Sequence, residues 1–268
     1  MSIPKNISFK ERILHLPIFH KTKTPLRGLL DLGPKPRLPK TPKRFTIFGQ
    51  GRTGSTLLVE LLHSNPNICS DGEILNHWIN FPHNTVKRQL LSCNRPVYGF
   101  KLLSYHLDVV LCYEHPERML DWLASEGFKM VYLKRENILL HALSQINARE
   151  RGFHQREGHK GATGKKPGIE VKKKDLFWWI ERMESRDEYE KRVLVGRDYL
   201  PLIYERDLER SEQWFKTIDS ICEFLEIDTF APSSSLRKVT PSSLNELVLN
   251  YDELRQWLKG TQYHELLT

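Results

Sequence analysis

The segment from Gly49 to Thr56 has the residue types of a phosphate-binding turn. An apolar run ends at Gly49, a second glycine follows at Gly54, and the hydroxyl residues Ser55 and Thr56 come next. A glycine-rich turn that leads into a helix offers free backbone N–H groups to an anion, and the helix dipole favours negative charge. The spacing therefore predicts an anion cradle. The alternative is a glycine turn in which Thr53 or Ser55 only caps the helix.

This turn lacks the lysine of nucleoside triphosphatases. In the pattern GxxxxGK[ST] a lysine follows the second glycine, whereas Ser55 stands there and the cation is Arg52, three residues earlier. The segment 202–205 is only a poor imitation of the acidic strand end that holds magnesium. Since ATP hydrolysis needs both the lysine and the metal, the turn predicts phosphate binding without that chemistry.

A second pair of cations, Lys134 and Arg135, ends another apolar run and precedes a helical segment that contains Ser144. Ligands of parallel α/β sheets bind at the carboxyl ends of the strands. We therefore expect Arg135 to face a ligand. For Ser144 taken alone, a hydroxyl bonded to its own helix backbone is an equal alternative.

Alternating strands and helices must position these residues. Apolar runs predict strands, and residues repeating at helical spacing predict helices between them. The strands are expected at 44–48, 97–103, 129–134 and 199–204, and the helices at 55–63, 115–125, 136–151 and 208–225. This order predicts an α/β fold, a three-layer P-loop-like domain with a central parallel β-sheet flanked by helices. The Gly/Lys-rich segment 158–174 is interpreted as a loop that folds over an anionic ligand.

The first turn resembles the phosphosulfate loop of sulfotransferases that use 3′-phosphoadenosine 5′-phosphosulfate (PAPS). The match is Arg52-Thr53-Gly54-Ser55-Thr56-Leu57-Leu58, and arginine in place of lysine is similar to the bacterial carbohydrate branch, with its trehalose and nodulation-factor enzymes. The resemblance implies PAPS as co-substrate, 3′,5′-ADP as product and no metal. It implies that Arg52 lies near the bridging oxygen and that Thr53, Gly54, Ser55 and Thr56 bind the 5′-phosphate. Arg135 and Ser144 would then bind the 3′-phosphate, although their spacing is nine where eight is expected.

The same branch carries a Gly-Glu-aliphatic element after the loop helix, matched here by Gly72-Glu73-Ile74. The resemblance implies that Glu73 is the general base. Such a base works best if burial or neighbouring Asp71 raises its pKa towards neutrality. His77 is the second candidate, whereas His63, His83 and His106 have no supporting spacing. The alternative for Glu73 is an acid at a helix start.

Weaker signals concern residues away from these motifs. Lys101 ends Gly99-Phe100-Lys101, which is similar to a Gly-Phe-Lys of the bacterial branch. It is expected to assist the leaving phosphate, to orient the sugar, or only to be solvated. The triplet Lys259-Gly260-Thr261 is similar to a loop that closes over the 3′-phosphate in this family. The aromatic residues 177–179 are expected either to stack on a sugar or adenine ring or to belong to the core.

The positive charge of the chain is concentrated at its start. Residues 1–44 contain eleven Lys and Arg against two acids, so the rest of the chain, with 30 basic and 31 acidic residues, is close to neutral. We divide the chain into a basic Pro/Lys-rich N-terminal arm, 1–43, and a sulfotransferase-like domain, 44–268. A neutral body argues against a nucleic-acid-binding domain. The arm is expected to be a solvated tail or to contact a membrane surface or polyanion.

Four scattered cysteines without metal-ligand spacing favour a reducing, cytoplasmic compartment. We find no signal peptide and no run of eighteen apolar residues. The predicted function is sulfuryl transfer from PAPS to a hydroxyl acceptor, a carbohydrate or glycolipid. The alternatives are a P-loop nucleotide kinase with a degenerate Walker motif and a non-catalytic nucleotide- or polyanion-binding protein.

Overall fold

A computed structural model of the chain describes residues 42–151, 168–236 and 243–267. Its five strands form one sheet in the order β2-β3-β1-β4-β5, and every neighbouring pair is parallel. The strands are β1 Lys43–Gly49, β2 Ile68–Asp71, β3 Val97–Leu103, β4 Phe128–Lys134 and β5 Tyr199–Ile203. The four strands expected from sequence are confirmed. The short edge strand β2 was missed.

Helices connect the strands. They are α1 Ser55–His63, α2 Pro82–Ser92, α3 Glu117–Ser125, α4 Ile138–Arg151, α5 Lys173–Leu194, the single turn α6 Tyr204–Asp207, α7 Ser211–Leu225, the single turn α8 Leu244–Leu247 and α9 Tyr251–Leu258. A π-helical turn, His106–Val110, follows β3, and a 3₁₀ turn, His264–Leu267, ends the described chain. The predicted helix at 55–63 is confirmed at both ends. The others begin two or three residues later than expected. Most of the predicted 158–174 loop lies outside the described residues, and α5 begins within its last two positions.

Alternation along β1 sends side chains to two different helical layers. Phe45 and Ile47 pack with Leu58 of α1 and with α7, whereas Phe48 packs with α2 and α3. Because both faces of the sheet are covered, all seven residues of β3 are buried. The three-layer arrangement expected from the sequence is confirmed.

The strand order creates a switch point beside β1. From β1 the chain continues through α1 to the edge strand β2, while from β4 it continues through α4 and α5 to β5 on the other side. The connections that leave β1 and β4 therefore diverge, and a crevice opens at their carboxyl ends, where ligands of open α/β sheets bind. The turn 49–54 and Arg135 both stand at this crevice.

A third apolar cluster supports the helix that leads away from Arg135. Leu139 and Leu143 of α4 pack with Leu176 and Ile180 of α5 and with Leu258 of α9. Among the described helices, none is long and apolar enough to cross a membrane.

Candidate active site

The turn between β1 and α1 has an unusual backbone. Gly49 has φ 149° and Gly54 has φ 86°, and a Cβ at Gly54 would lie 2.5 Å from the ring of Tyr204. Arg52 also has a positive φ, 65°, a conformation that costs a non-glycine residue about 1 kcal/mol or more. The sequence gives no sign of this strained arginine, which stands in the middle of the cradle.

Three side-chain contacts hold this turn in place. Gln50 Nε2 donates to Asp187 Oδ1 of α5 at 2.5 Å, and Thr53 Oγ1 donates to Gln50 O at 2.9 Å. His141 Nε2, on α4, lies 2.7 Å from Gly51 O. Burial lowers the pKa of His141 to about 4, so at neutral pH the ring is uncharged and donates its Nε2–H to this carbonyl.

The start of α1 is free to bind an anion. Gly54 is the N-cap residue and has no side chain to pair with the N–H groups of the first turn. Ser55 is buried, whereas Thr56 is exposed. The helix start therefore keeps the donors that the sequence assigned to a phosphate group.

Arg52, expected near the bridging oxygen, contacts both residues expected at the 3′-phosphate, Arg135 and Ser144. Arg52 Nε donates to Ser144 Oγ at 3.4 Å, and Arg135 Nη1 donates to Arg52 O at 3.4 Å. Ser144 is buried on α4, facing the turn, and its hydroxyl accepts from Arg52. With the nine-residue spacing, Arg135 and Ser144 both contact Arg52, one at its carbonyl and the other at its side chain. Burial first, and then the charge of Arg135, lowers the pKa of Arg52.

Glu205 contacts the same arginine. Its carboxylate lies 3.3 Å from Arg135 Nε and accepts the backbone N–H groups of Glu136 and Asn137 at 3.0 and 3.2 Å. The ring of Tyr204 lies 5.0 Å from the Arg135 guanidinium carbon, as in a cation–π pair. At sequence level Glu205 was noticed only as a poor magnesium-holding acid. The structure makes it the partner of Arg135.

Glu73 follows β2 and contacts Lys101 of β3 and His106 of the turn after it. Lys101 Nζ lies 2.9 Å from Glu73 Oε1, and His106 Nε2 lies 3.3 Å from Glu73 Oε2. His106 Nδ1 accepts the Leu103 N–H at 3.2 Å, so the ring proton of neutral His106 is on Nε2 and faces the carboxylate. This contact is close without being a well-aligned hydrogen bond.

The expectation that Glu73 has a raised pKa is wrong. Burial alone raises it, but the contacts and charges of His106 and Lys101 outweigh burial and lower the pKa of Glu73 to about 2. Asp71, whose charge was the second possible cause of a raised pKa, accepts a hydrogen bond from Tyr98 at 3.0 Å. Glu73 is therefore ionised at neutral pH and weakly basic in this state.

Lys101 joins this carboxylate to the phosphate turn. It lies inside β3, two residues before its end, is 7% exposed, and donates from Nζ to Thr56 Oγ1 at 3.2 Å. The alternative of a solvated lysine is excluded. His106, which the sequence left without support, lies with Lys101 against Glu73, because β3 and the π-helical turn bring residues five apart to the same carboxylate.

The remaining candidates make other contacts, although burial and, to a smaller extent, the nearby charge of His77 lower the pKa of His106. His77 is exposed and contacts Asn76 Oδ1 at 3.0 Å. The triplet 259–261 follows α9, where Thr261 Oγ1 donates to Leu258 O at 2.7 Å. Phe177 and Trp179 pack against the apolar cluster of α4, α5 and α9, as their core alternative predicts. Within the described ranges no group of three or more His, Cys, Asp or Glu could hold a metal ion.

Together the fold and this site define a P-loop-like α/β protein whose glycine-rich turn lies beside an acid–lysine–histidine group. No protein-family model matches the chain. In sequence the chain is similar to nodulation protein H of Rhizobium meliloti strain 1021, with 30% identity over 123 residues, which is 41% of this chain and 49% of that protein. A second nodulation protein H of Rhizobium meliloti is 29% identical over the same length. The chain thus matches about half the length of these relatives, and their name agrees with the nodulation-factor branch that the motifs resemble.

Three solved structures share a weak overall likeness. A sulfotransferase from Alicyclobacillus acidocaldarius has a TM-score of 0.47 at 15% identity, over 84% of this chain and 95% of that one. The sulfotransferase domain of the Synechococcus PCC 7002 olefin synthase has a TM-score of 0.41 at 17% identity, over 87% and 96%. A mouse sulfotransferase complexed with PAP has a TM-score of 0.45 at 12% identity, over 84% and 88%.

Proposed function

We propose that this protein transfers a sulfuryl group from PAPS to a hydroxyl of a carbohydrate or glycolipid acceptor and releases 3′,5′-ADP. The observation that carries the proposal is the position of Lys101, which contacts Thr56 of the anion-binding turn and Glu73 at once. A candidate base therefore lies next to the place where a transferable anionic group would bind. The relatives named nodulation protein H support an acceptor of the carbohydrate class.

The two anionic ends of the donor have separate partners in this proposal. The N–H groups at the start of α1, with Thr53, Ser55 and Thr56, bind the 5′-phosphate. Arg135 and Ser144 bind the 3′-phosphate, which distinguishes PAPS from simpler adenylates. Arg52 belongs to the turn proposed for the 5′-phosphate, and it contacts Ser144 through its side chain and Arg135 through its carbonyl. These contacts hold the sites for the 5′- and 3′-phosphates at a defined separation.

The transfer step moves one proton and one sulfuryl group. Glu73 accepts the proton of the acceptor hydroxyl, and that oxygen forms a bond to sulfur as the bond from sulfur to the bridging phosphate oxygen breaks. The bond pair leaves with 3′,5′-ADP. Arg52 and Lys101 stabilise the charge that develops on the leaving and equatorial oxygens, as cations do in phosphoryl transfer.

Lys101 also adjusts the strength of Glu73 as a base. In the structure described here it lowers the pKa of Glu73, which keeps the carboxylate ionised but weakens it. Once a phosphosulfate fills the turn beside Thr56, the lysine has a second anion to pair with. Its attraction for Glu73 then falls, and the pKa of Glu73 rises when the donor is bound.

Nucleotide binding tests the donor. Calorimetry should give tighter binding of 3′,5′-ADP than of 5′-AMP or ATP with magnesium, and Arg135→Ala should remove the preference for 3′,5′-ADP. Arg118→Ala changes an exposed arginine on α3 and is the matched control. Equal affinity for 3′,5′-ADP and 5′-AMP would refute the assignment, and a preference for ATP with magnesium would favour a kinase.

A carboxylate variant tests the base. Glu73→Gln should keep 3′,5′-ADP affinity and lose at least about a hundredfold in transfer rate, the usual contribution of a general base. Glu188→Gln, an exposed acid on α5, should change neither. Unchanged turnover of the Glu73 variant would remove this residue from the mechanism.

The proposal also covers the domain boundary, the role of the N-terminal arm and the cellular location of the protein. We propose that the domain spans 44–268 and that the arm, 1–43, is separate from catalysis; residues 1–41 lie outside the described ranges. Deleting residues 1–43 should leave 3′,5′-ADP binding intact, and lost heparin or anionic-lipid binding would assign the polyanion contact to the arm.

All four cysteines are free, which supports the cytoplasmic location expected from sequence.

A further inference from the structure

Two large aromatic side chains stand exposed shortly after Glu73. Trp78 is 64% exposed and Phe81 is 70% exposed, although such residues are normally largely buried. With Leu111 and Tyr113 from the segment after the π-helical turn, they line an open cavity of about 370 Å³. Exposed aromatic residues that line a concavity are typical of ligand-binding sites.

Both walls of this cavity are connected to the Glu73–His106 contact by short pieces of chain. Trp78 is five residues from Glu73, a span of at most about 18 Å even when fully extended. On the other wall, the Leu111 N–H donates to His106 O at 2.8 Å, and the Tyr113 N–H donates to Leu107 O at 2.9 Å. Both walls of the cavity are therefore tied by short chain segments to residues that contact each other at Glu73 and His106.

The lining is uncharged. Its nine residues include no Asp, Glu, Lys or Arg, and burial, followed by the charge of Lys87, lowers the pKa of His83, so this ring is neutral at pH 7. The polar groups are amides and a phenol, contributed by Asn80, Asn84 and Tyr113. Such a surface gives no charge to attract an anionic or cationic ligand, and its aromatic faces and hydrogen-bonding groups suit a ring that is apolar on its face and hydroxylated at its edge.

The main aromatic side chain is held in position before any ligand binds. Trp78 Nε1 donates to Asn80 Oδ1 at 3.1 Å, so the indole edge is fixed while the side chain remains exposed. Within the described residues the Tyr113 hydroxyl has no hydrogen-bond partner. An aromatic face fixed in advance loses little conformational freedom on binding, which favours affinity.

We propose that this cavity is the acceptor subsite, in which Trp78 and Phe81 stack on a neutral sugar ring of the acceptor while its reacting hydroxyl lies at Glu73. The inference rests on the proposed sulfuryl transfer and adds that the acceptor's sugar ring is neutral and which residues bind it.

Binding of neutral oligosaccharides tests the subsite without relying on activity. Saturation-transfer NMR with maltotetraose, cellotetraose and chitotetraose, on protein loaded with 3′,5′-ADP, should detect at least one of the three. Trp78→Ala should weaken that binding about tenfold or more, as the loss of a central aromatic contact usually does. Phe215→Ala removes an aromatic side chain that is 54% exposed on α7 and should leave binding unchanged. Affinity for 3′,5′-ADP, measured on the same samples, should be the same in all variants.

The outcomes separate the subsite from the proposed function. Failure to bind 3′,5′-ADP refutes the proposed function, whereas normal 3′,5′-ADP binding without binding of any of the three sugars overturns the subsite alone. Equal sugar affinity of Trp78→Ala and wild type also overturns it. A Trp78→Ala variant that lost only phosphatidylcholine vesicle binding, or only self-association in sedimentation, would instead assign these aromatic residues to a lipid surface or to a contact between copies.

Discussion

Replacing Lys101 by methionine should make the stability of the protein much less sensitive to acid. The pKa of Glu73 in the folded protein is about 2, below its ordinary value of 4.5. Between these values the unfolded chain binds more protons than the folded one, so the contribution of Glu73 is complete above pH 4.5 and is lost as the pH falls towards 2. Between pH 7 and pH 3 this one group should cost the wild type about 2 kcal/mol of unfolding free energy.

The expected effect of the substitution follows from the 2.9 Å ion pair. Unit charges at that distance attract by about 1.4 kcal/mol in water and about 6 kcal/mol at an effective dielectric constant of about 20. Since about 1.4 kcal/mol changes a pKa by one, Lys101→Met raises the pKa of Glu73 to about 3 at the least. Burial, which remains, raises it further towards 4.5. The acid-induced loss from Glu73 then falls well below 2 kcal/mol, even though His106 still faces the carboxylate.

Urea unfolding at a series of pH values from 7 to 3, with ¹³C-carboxyl NMR of Glu73, measures both quantities. The matched control is Lys129→Met, because Lys129 pairs with Glu226 at 2.8 Å on the surface, where solvent screens the attraction. It should change the acid sensitivity much less than Lys101→Met does. The reasoning is refuted if the two variants behave alike, or if the NMR titration of Glu73 in Lys101→Met still has its midpoint near pH 2.

Three further substitutions test the glycine-rich turn, the pairing of Arg135 with Glu205, and the buried acid Glu190 of α5. Gly54→Ala should lower 3′,5′-ADP affinity at least about tenfold in calorimetry, because the ring of Tyr204 lies 2.5 Å from the new Cβ. The control Gly196→Ala, at a glycine with φ 72° and open space around it, should leave this affinity unchanged. Glu205→Gln should tighten 3′,5′-ADP binding about three- to tenfold, since it removes the negative charge beside Arg135 and keeps one of the two oxygens that accept hydrogen bonds there; weaker binding would contradict this. Burial raises the pKa of Glu190 to about 7, above its ordinary value of 4.5. The free energy of unfolding therefore falls as the pH rises from 4.5 to 7. Urea unfolding at pH 5 and pH 8 should show that Glu190→Gln makes this fall smaller by about 2 to 3 kcal/mol.

Local pattern was sufficient for most of the fold. Three of the four expected strands, β1, β3 and β4, are apolar runs buried on both faces, as is usual inside parallel sheets, and α1 has an apolar stripe at helical spacing; both patterns depend on neighbouring residues only. The edge strand β2 was missed because its four residues, Ile68–Asp71, form no apolar run. Its pairing with β3 could be found only in the sheet.

The site divides in the same way. The residues of the glycine-rich turn, 49–56, are contiguous, so spacing alone was enough to predict an anion cradle without the lysine of an ATPase. Arg135 was identified because a cation at the carboxyl end of a parallel strand has a fixed place in such folds. The positive φ of Arg52, the pairing of Arg135 with Glu205 and the contact of His141 with Gly51 depend on separate segments, and no local spacing encodes them.

Glu73 shows where sequence reasoning ends. Its position after the loop helix was enough to select it, but the direction of its pKa depends on which charges surround it. That is a property of distances between segments: β3 brings Lys101, and the π-helical turn brings His106, to a carboxylate about thirty residues earlier in the chain. The sequence by itself therefore determined which groups we propose for the chemistry. Only the tertiary structure decided the pKa of Glu73, because electrostatic interactions act through space and not along the chain.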